Sequence, residues 1–430
     1  MPIDSPLIAN PLADLPRLLD FDRLPGTIKA DYTDFIVEEI PLYPASGSGT
    51  HTYFLLEKTG LSTMNALGDI ARALNVKRRD IGYAGLKDAR AVTRQWMSVE
   101  HMNPRDVQKL DIPRMRVLKV EKHSNKLKLG HLSGNRFTIR VRDTHPERLA
   151  QLQDALRKLA QLGVPNYFGQ QRFGGRGDTW AVGRAIAVGE MQAALDLILG
   201  RPGPYDHGEI LRGRQLYEAG RYQDALRRWP GMFRNERRAL KALAQSRGSV
   251  KRGFYAIDLQ LRRFYISAYQ SHLFNQVVAR RMPHGLDKLM GGDLAFRHAG
   301  HAVFLVDDAA VEQPRADAFE ISPTGPLFGY RMTQPTGEPA AMEAAALAAE
   351  DLRPDAFENG HSRVQGSRRP MRFPLEDADA RLGADHRGAY LELAFVLPRG
   401  CYATSLLREL FRDEVGASGN GERHALEDSD

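Results

Sequence analysis

The sequence predicts an α+β protein, a mixed-sheet domain built from both ends of the chain and interrupted by a large, mainly helical α/β insertion. Three observations carry this expectation. At 430 residues the chain exceeds one ordinary domain, so two domains, or one with a long insertion, are expected. Strand-like alternation fills the first third and returns near the C-terminal end, whereas helical spacing dominates between them. Positive charge gathers in the middle, where residues 221 to 263 hold twelve Lys or Arg against three acids.

The elements follow in order. HTYFLLEK (51–58) reads as a strand, and Ser62 or Thr63 can cap a helix whose Met64, Leu67, Ile70 and Leu74 recur at helical spacing. That helix ends near the basic loop NVKRRD. DIGYAG and VTRQWMSVE are two short strands, which puts Lys87 and Asp88 on the connection between them. RMRVLKVEKH (114–123) and NRFTIRVRD (135–143) are further strands. In the second, Phe137, Ile139 and Val141 share one face and Arg136, Thr138, Arg140 and Arg142 the other, so a polar, basic sheet face is expected.

From Leu149, LAQLQDALRKLAQLG is an amphipathic helix, and VPNYFGQQRFGGRGDTWAVGRAI is a Gly-rich aromatic loop in which Asp178 is expected to cap the next helix. Basic helical sequence continues to about Met282. TGEPAAMEAAALAAEDLRP (336–354) reads as an Ala-rich surface helix, and the strand pattern returns near QGSRRP (365–370). AYLELAFVLPRGCYATSLLRELF then gives a strand with Leu391, Leu393, Phe395 and Leu397 in phase, a turn at Pro398, Arg399 and Gly400, and a closing helix. No repeat at solenoid periods is present.

Composition narrows the function. Formal net charge is +7, and because the last nine residues sum to −3 the rest of the chain carries +10, which suits a polyanionic partner. Trp229, Phe233, Phe254, Tyr255, Phe264, Tyr265 and Tyr269 interleave with the central cations, as expected where bases stack on rings and Arg or Lys hold phosphates. The single cysteine, Cys401, cannot form an internal disulfide or a cysteine-rich zinc site and suits a structural thiol in a reducing compartment. Acids and prolines interrupt the first twenty residues where a signal peptide needs an apolar run, and no segment reaches the length of a membrane span. A cytoplasmic protein, monomeric and independent of membranes, is the expectation. Walker A, dinucleotide and H-E-x-x-H motifs are missing, as is any Cys/His cluster, so neither a cofactor nor a metal is expected.

The chemistry-bearing stretch is GYAGLKDARAVTRQW (82–96). An aspartate beside a lysine on a turn can simply accept backbone N–H bonds while the lysine meets solvent. It can also be a carboxylate kept ionised by nearby cations and ready to act as nucleophile or base. Gly85, Lys87, Asp88, Ala91, Thr93 and Gln95 form a run that resembles the signature of the tRNA pseudouridine synthase D (TruD) family. The resemblance extends, in the family's order, through DFIVEEI (34–40), LSGNRFTIRVR (132–142), VPNYFGQQRFG (164–174), FYISAYQSHLFN (264–275) and LAFVLPRGCYATSLLREL (393–410). One departure is Ala89 followed by Arg90, where many members carry a basic residue directly after the aspartate.

The resemblance implies a pseudouridine synthase catalytic domain at 1–162 and 369–430, with an RNA-binding insertion of TruD type at 163–368. It implies tRNA as partner and isomerisation of one uridine to pseudouridine, in bacterial members the uridine at position 13 of tRNA-Glu. Asp88 would be the catalytic aspartate, stabilised by Lys87 or by Lys29. Phe35, Asn135 and Phe395 match substrate-contact positions. Phe137 stands where related synthases carry a tyrosine over the base, although its phase with apolar neighbours equally suits a core. Gln170 and Arg172 are candidate contacts at the mouth of a cleft expected between the two domains. A non-catalytic RNA-binding or RNA-chaperone protein would share the basic surface but tolerate loss of Asp88, and a nuclease would need acids or histidines clustered around it.

Overall fold

A computed structural model describes residues 12–357 and 363–412, so the acidic tail lies outside the described residues. The chain divides into two compact units, one made of Leu18–Val164 with the returning segment from Phe373, the other of Pro165–Arg372 with residues 12–17.

The first unit is a mixed sheet. Asp31 accepts a hydrogen bond from the Thr33 N–H and caps a short turn that delivers strand β1 (Phe35–Pro41). Then come β2 (His51–Thr59), helix α1 (Thr63–Ala73), β3 (Ile81–Tyr83), β4 (Val92–Glu100), α2 (Pro104–Gln108), β5 (Met115–His123), β6 (Leu132–Val141) and α3 (Leu149–Leu162). The Ser62 side chain caps α1 by accepting from the Asn65 N–H. The chain leaves at β7 (Val164–Pro165).

The second unit contains α4 (Thr179–Ala187), α5 (Met191–Leu199), α6 (Gly208–Glu218), α7 (Tyr222–Arg228), α8 (Arg234–Gln245), α9 (Val250–Tyr255) and the long α10 (Leu259–Arg281). Strands β8 (Leu294–Arg297) and β9 (Val303–Leu305), helix α11 (Ala309–Asp317), β10 (Ile321–Leu327), α12 (Gly337–Ala348) and β11 (Ser367–Pro370) follow. Gly183 lets α4 press on α10, because a Cβ there would stand 2.0 Å from the Tyr265 carbonyl oxygen. The ends of this unit lie side by side: Asn166 donates through its N–H to the Met371 carbonyl at 2.8 Å and through Nδ2 to that of Pro370. An insertion whose ends meet can be carried by a host without separating the strands on either side.

The chain returns through β12 (Arg372–Phe373) to β13 (Glu376–Asp385), β14 (Gly388–Pro398) and α13 (Ala403–Leu410). The main sheet has the order β13-β14-β6-β1-β4-β2-β5, with β3 on β4; β1 and β4 are parallel and the other pairs antiparallel. Leu152, Leu156 and Leu159 of α3 and Leu406 and Leu410 of α13 pack with Ile139, Leu391, Leu393 and Phe395 in one core, and α1 covers Phe54, Leu56, Met97 and Val99 in another. A mixed sheet assembled from both chain ends is therefore present.

The second unit is the mainly helical α/β body expected, its β8 to β11 forming an antiparallel sheet of order β11-β10-β8-β9. Pro323, Gly325 and Pro326 within β10 hide that strand from a reading by alternation. Three expectations do change. Asp178 precedes α4 without a side-chain capping bond and instead accepts from Arg176 Nε at 2.6 Å. The basic sheet face is neutralised: Arg136 pairs with Asp377, Arg140 with Glu392, and Arg142 with Asp34 and Asp385. Finally, Trp229, Phe254, Tyr265 and Tyr269 are buried between helices and cannot stack on bases; of the seven interleaved rings Phe233 and Phe264 are half-buried and Tyr255 is exposed.

Candidate active site

The register of the sheet brings two distant lysines and an aspartate together. Parallel pairing aligns Ile36 of β1 with Val92 of β4, so the segments preceding both strands emerge at one end of the sheet. Antiparallel β2 finishes at that same end, with Thr59 opposite Val92. Lys29, just before β1, Asp88, just before β4, and Lys58, near the end of β2, converge as a result.

The connection carrying Asp88 is tied down by the residues around it. Gln95 Nε2 donates to the Gly85 carbonyl at 3.3 Å, and the Lys87 N–H donates to Thr63 Oγ1 at 2.9 Å. Thr63 Oγ1 in turn donates to Gln95 Oε1 at 3.0 Å, and the Ala91 carbonyl accepts from the Gly60 N–H. Lys58 Nζ holds the carbonyl of Asp88 itself at 3.3 Å and also donates to that of Leu61. Gly85 and Ala91 thus serve the shape of the loop through their backbone carbonyls and Gln95 through its side chain.

Asp88 keeps 38% of its side chain accessible. One carboxylate oxygen accepts from Lys29 Nζ, the other from the Arg90 N–H at 2.8 Å. Burial alone would raise the pKa of Asp88; the Lys29 ammonium, its hydrogen bond, the Arg90 N–H and the Lys58 charge outweigh that and hold it below the usual aspartate value. Lys29 takes a left-handed backbone (φ 58°), uncommon for a side chain of this kind, and its ammonium lies 4.3 Å from the centre of the Phe35 ring.

Lys87 turns away from its neighbour. Its Nζ reaches Glu39 Oε2 and Asn135 Oδ1, each at 2.8 Å. Glu39 and Asn135 are cross-strand partners on β1 and β6, so the lysine closes a polar row on that face of the sheet. Burial pushes the Glu39 carboxyl up, against the opposing pull of Lys87 and of the Trp96 N–H. The pleat places Phe35, Phe137 and Phe395 on this same face, Phe137 opposite Val37 and Phe395 opposite Phe137. Phe137 stacks on Phe395 with ring centres 5.2 Å apart and meets Phe35 edge-on at 6.2 Å. Phe395 has no accessible surface, whereas Phe35 and Phe137 keep narrow exposed edges. Phe395 therefore backs Phe137 rather than offering a face of its own.

The arrangement is a fixed, ionised and partly open carboxylate set among cations, beside an aromatic wall. The sequence model of the tRNA pseudouridine synthase D (TruD) family matches residues 16–410, a span that includes every residue named above. The chain belongs to the TruD family. It is 47% identical over 389 residues to the tRNA pseudouridine synthase D of Geobacter metallireducens, covering 90% of this chain and 95% of that one. To that of Geobacter sulfurreducens it is 44% identical over 403 residues, 93% and 97% of the two chains. A crystal structure assigned to tRNA pseudouridine synthase D of Methanosarcina mazei superposes with a TM-score of 0.82 at 27% identity, covering 92% of this chain and 95% of the other. As a TruD-family protein it is a tRNA pseudouridine synthase, an isomerase.

Gln170 and Arg172 belong to the other unit, on the short turn Gln170–Phe173. Gln170 is exposed, and the Arg172 guanidinium bonds Ser267 and Ser271 of α10 and lies 5.2 Å from the Phe264 ring centre. Two residues around Asp88 and Lys87 escape sequence reading. Lys58 ends an apolar strand and looks like a solvated lysine, yet none of it is accessible, and burial, with Lys87 adding to it against the pull of Asp88, pushes its pKa down to about 8. Glu39 sits in DFIVEEI, where nothing local separates it from the less buried Glu38. Among the described residues no group of three His, Cys, Asp or Glu side chains is placed to hold a metal, and no helix is long and apolar enough to cross a membrane.

Proposed function

We propose that this chain converts one uridine of tRNA, the uridine at position 13 of tRNA-Glu, into pseudouridine with Asp88 as the essential catalytic residue. The observation that carries the reading is the Asp88 carboxylate, held ionised by Lys29 and the Arg90 N–H on a strapped loop yet still partly open. Isomerisation breaks the bond from N1 to C1′ and joins C5 to C1′; C5 gives up a proton and N1 gains one, so neither water nor an electron carrier is consumed. The carboxylate can begin by attacking C1′, by adding to C6 of the base, or by taking the 2′ proton to leave a glycal. Each route needs it ionised, and Lys29 is the cation in contact with it.

A target uridine inside folded RNA must be flipped out, at a cost of a few kcal/mol that a stacking and hydrogen-bonding pocket offsets. Phe35, Phe137 and Asn135 are assigned to that pocket, with Phe395 behind Phe137 and Lys87 orienting Asn135 through their shared hydrogen bond. The sheet unit is then the catalytic domain and the unit Pro165–Arg372 an RNA-binding insertion, with Gln170 and Arg172 among its contacts. The protein is proposed to work in the cytoplasm as a monomer, with neither metal nor cofactor.

The test is to incubate wild type and Asp88→Asn with unmodified tRNA transcripts and map pseudouridine by carbodiimide-stop primer extension. A single new stop at position 13 of tRNA-Glu is expected with wild type and none with the variant, which should still bind the RNA. A stop that survives in Asp88→Asn removes the assigned role. Tight binding with no stop in any tRNA leaves a binding protein.

A further inference from the structure

The twelve cations from Arg221 to Arg263 look alike in the sequence but differ once folded. Arg221 and Arg227 both pair with Asp224, at 2.7 and 3.1 Å, and Arg228 pairs with Glu209 at 3.3 Å. Arg237 donates to the carbonyls of Leu226, at 2.9 Å, and Trp229, closing the C-terminal end of α7. Arg262 donates to the Ile257 carbonyl at 3.2 Å and lies over the rings of Phe254 and Tyr255. These charges are committed to the fold.

Arg234, Arg238 and Lys241 are not. All three are exposed, and among the described residues none has an ion pair or a side-chain hydrogen bond. They stand at i, i+4 and i+7 of α8, so they share one face and step along the axis by about 6 Å and then about 4.5 Å. Together with Leu226, Gly231 and Arg237 they line a groove of about 520 Å³ that has no carboxylate in its lining. Helix stability does not account for the row. Like charges four residues apart repel, and an arginine in the first turn opposes the helix dipole. What the row offers is an array of fixed positive charge to an extended anion.

We propose that this groove on α8 binds the phosphodiester backbone of RNA, with Arg234, Arg238 and Lys241 each neutralising a phosphate. The proposal rests on the reading that the chain acts on tRNA and adds where a sequence-independent part of that binding resides, since phosphate contacts position an RNA without reading its bases. Such contacts release counterions, and each phosphate neutralised adds about 0.7 to 0.9 to the slope of log affinity against log salt.

The experiment compares full-length wild type with two triple variants in filter binding to an unmodified tRNA transcript over a range of salt. One variant is Arg234→Gln/Arg238→Gln/Lys241→Gln, and the other, of equal charge change, is Arg221→Gln/Arg227→Gln/Arg228→Gln; thermal melts check that both are folded. The α8 variant is expected to lose about 2 to 3 from the slope, which makes its disadvantage shrink by about 20- to 40-fold between 50 and 200 mM salt. Its kcat/KM on tRNA should fall through KM. The ion-paired variant should lose less than about 1 in slope. An α8 variant with wild-type affinity and slope, or an equal loss in both variants, overturns the proposal. Binding needs no chemistry, so the outcomes separate: wild type that shows the slope difference but forms no pseudouridine removes the proposed function and leaves the groove assignment standing.

Discussion

Lys58 lies near the end of β2 with its ammonium against the carbonyls of Leu61 and Asp88. A lysine in the unfolded chain titrates near 10.4, and here burial pushes the value down to about 8. Between those values the folded chain binds fewer protons than the unfolded one, so stability rises with pH across that window. The charged and titratable groups facing Lys58 are Asp88 and Lys87. Relative to Lys58→Met, wild type should gain about 3 kcal/mol between about pH 8 and about pH 10.5. Urea unfolding of both proteins at the two ends of the window reads this, and a difference that stays constant with pH refutes it. Asp88 was legible from its motif, because a run of six spaced residues is distinctive. Lys58 was not, because a lysine ending a strand carries no local mark of burial.

Strand β13 shows how an element can be hidden by its own chemistry. Its sequence EDADARLGAD has a single fully buried apolar residue, Ala380, so alternation fails to reveal it. As the edge of the sheet it is rich in charge, which blunts pairing with other chains, and it supplies acids to Arg136 of β6 and to Arg142 just beyond it. Arg142 receives the most, with both Asp34 oxygens at 2.9 and 2.6 Å and both Asp385 oxygens at 3.0 and 2.8 Å. Its backbone also pairs with Thr27 in both directions, securing the segment that leads to Lys29. Arg142→Met leaves the inaccessible Asp34 carboxylate without a counter-charge and with only the Asp31 N–H as donor, so a loss of about 3–5 kcal/mol is expected in urea unfolding. A loss below about 1 kcal/mol, the range of a surface pair, would show that Asp34 is solvated instead.

At the scale of the molecule, the sheet unit depends on chain separated by the whole second unit. The returning segment brings Leu391, Leu393, Phe395, Leu397, Leu406 and Leu410, all inaccessible, to the core on β6 and α3. At about 1.5–3 kcal/mol for each such side chain, their burial rivals the 5–15 kcal/mol that keeps a domain folded. A chain ending at Arg372 should lose the cooperative thermal transition of this unit; a truncated protein that still melts cooperatively with native strand content counts against it. From the sequence alone came the α+β class, the two-part organisation, the main strands of the first third, the family resemblance and the proposal of Asp88, because these rest on local periodicity and on closely spaced motifs. The tertiary structure alone decided that Lys29 rather than Lys87 meets Asp88, that Lys58 reaches the Asp88 carbonyl and Glu39 the Lys87 ammonium, and which of the central cations are committed to the fold. Each of those depends on strand register or helix packing between residues far apart in the chain, which the periodicity within any one segment does not reveal.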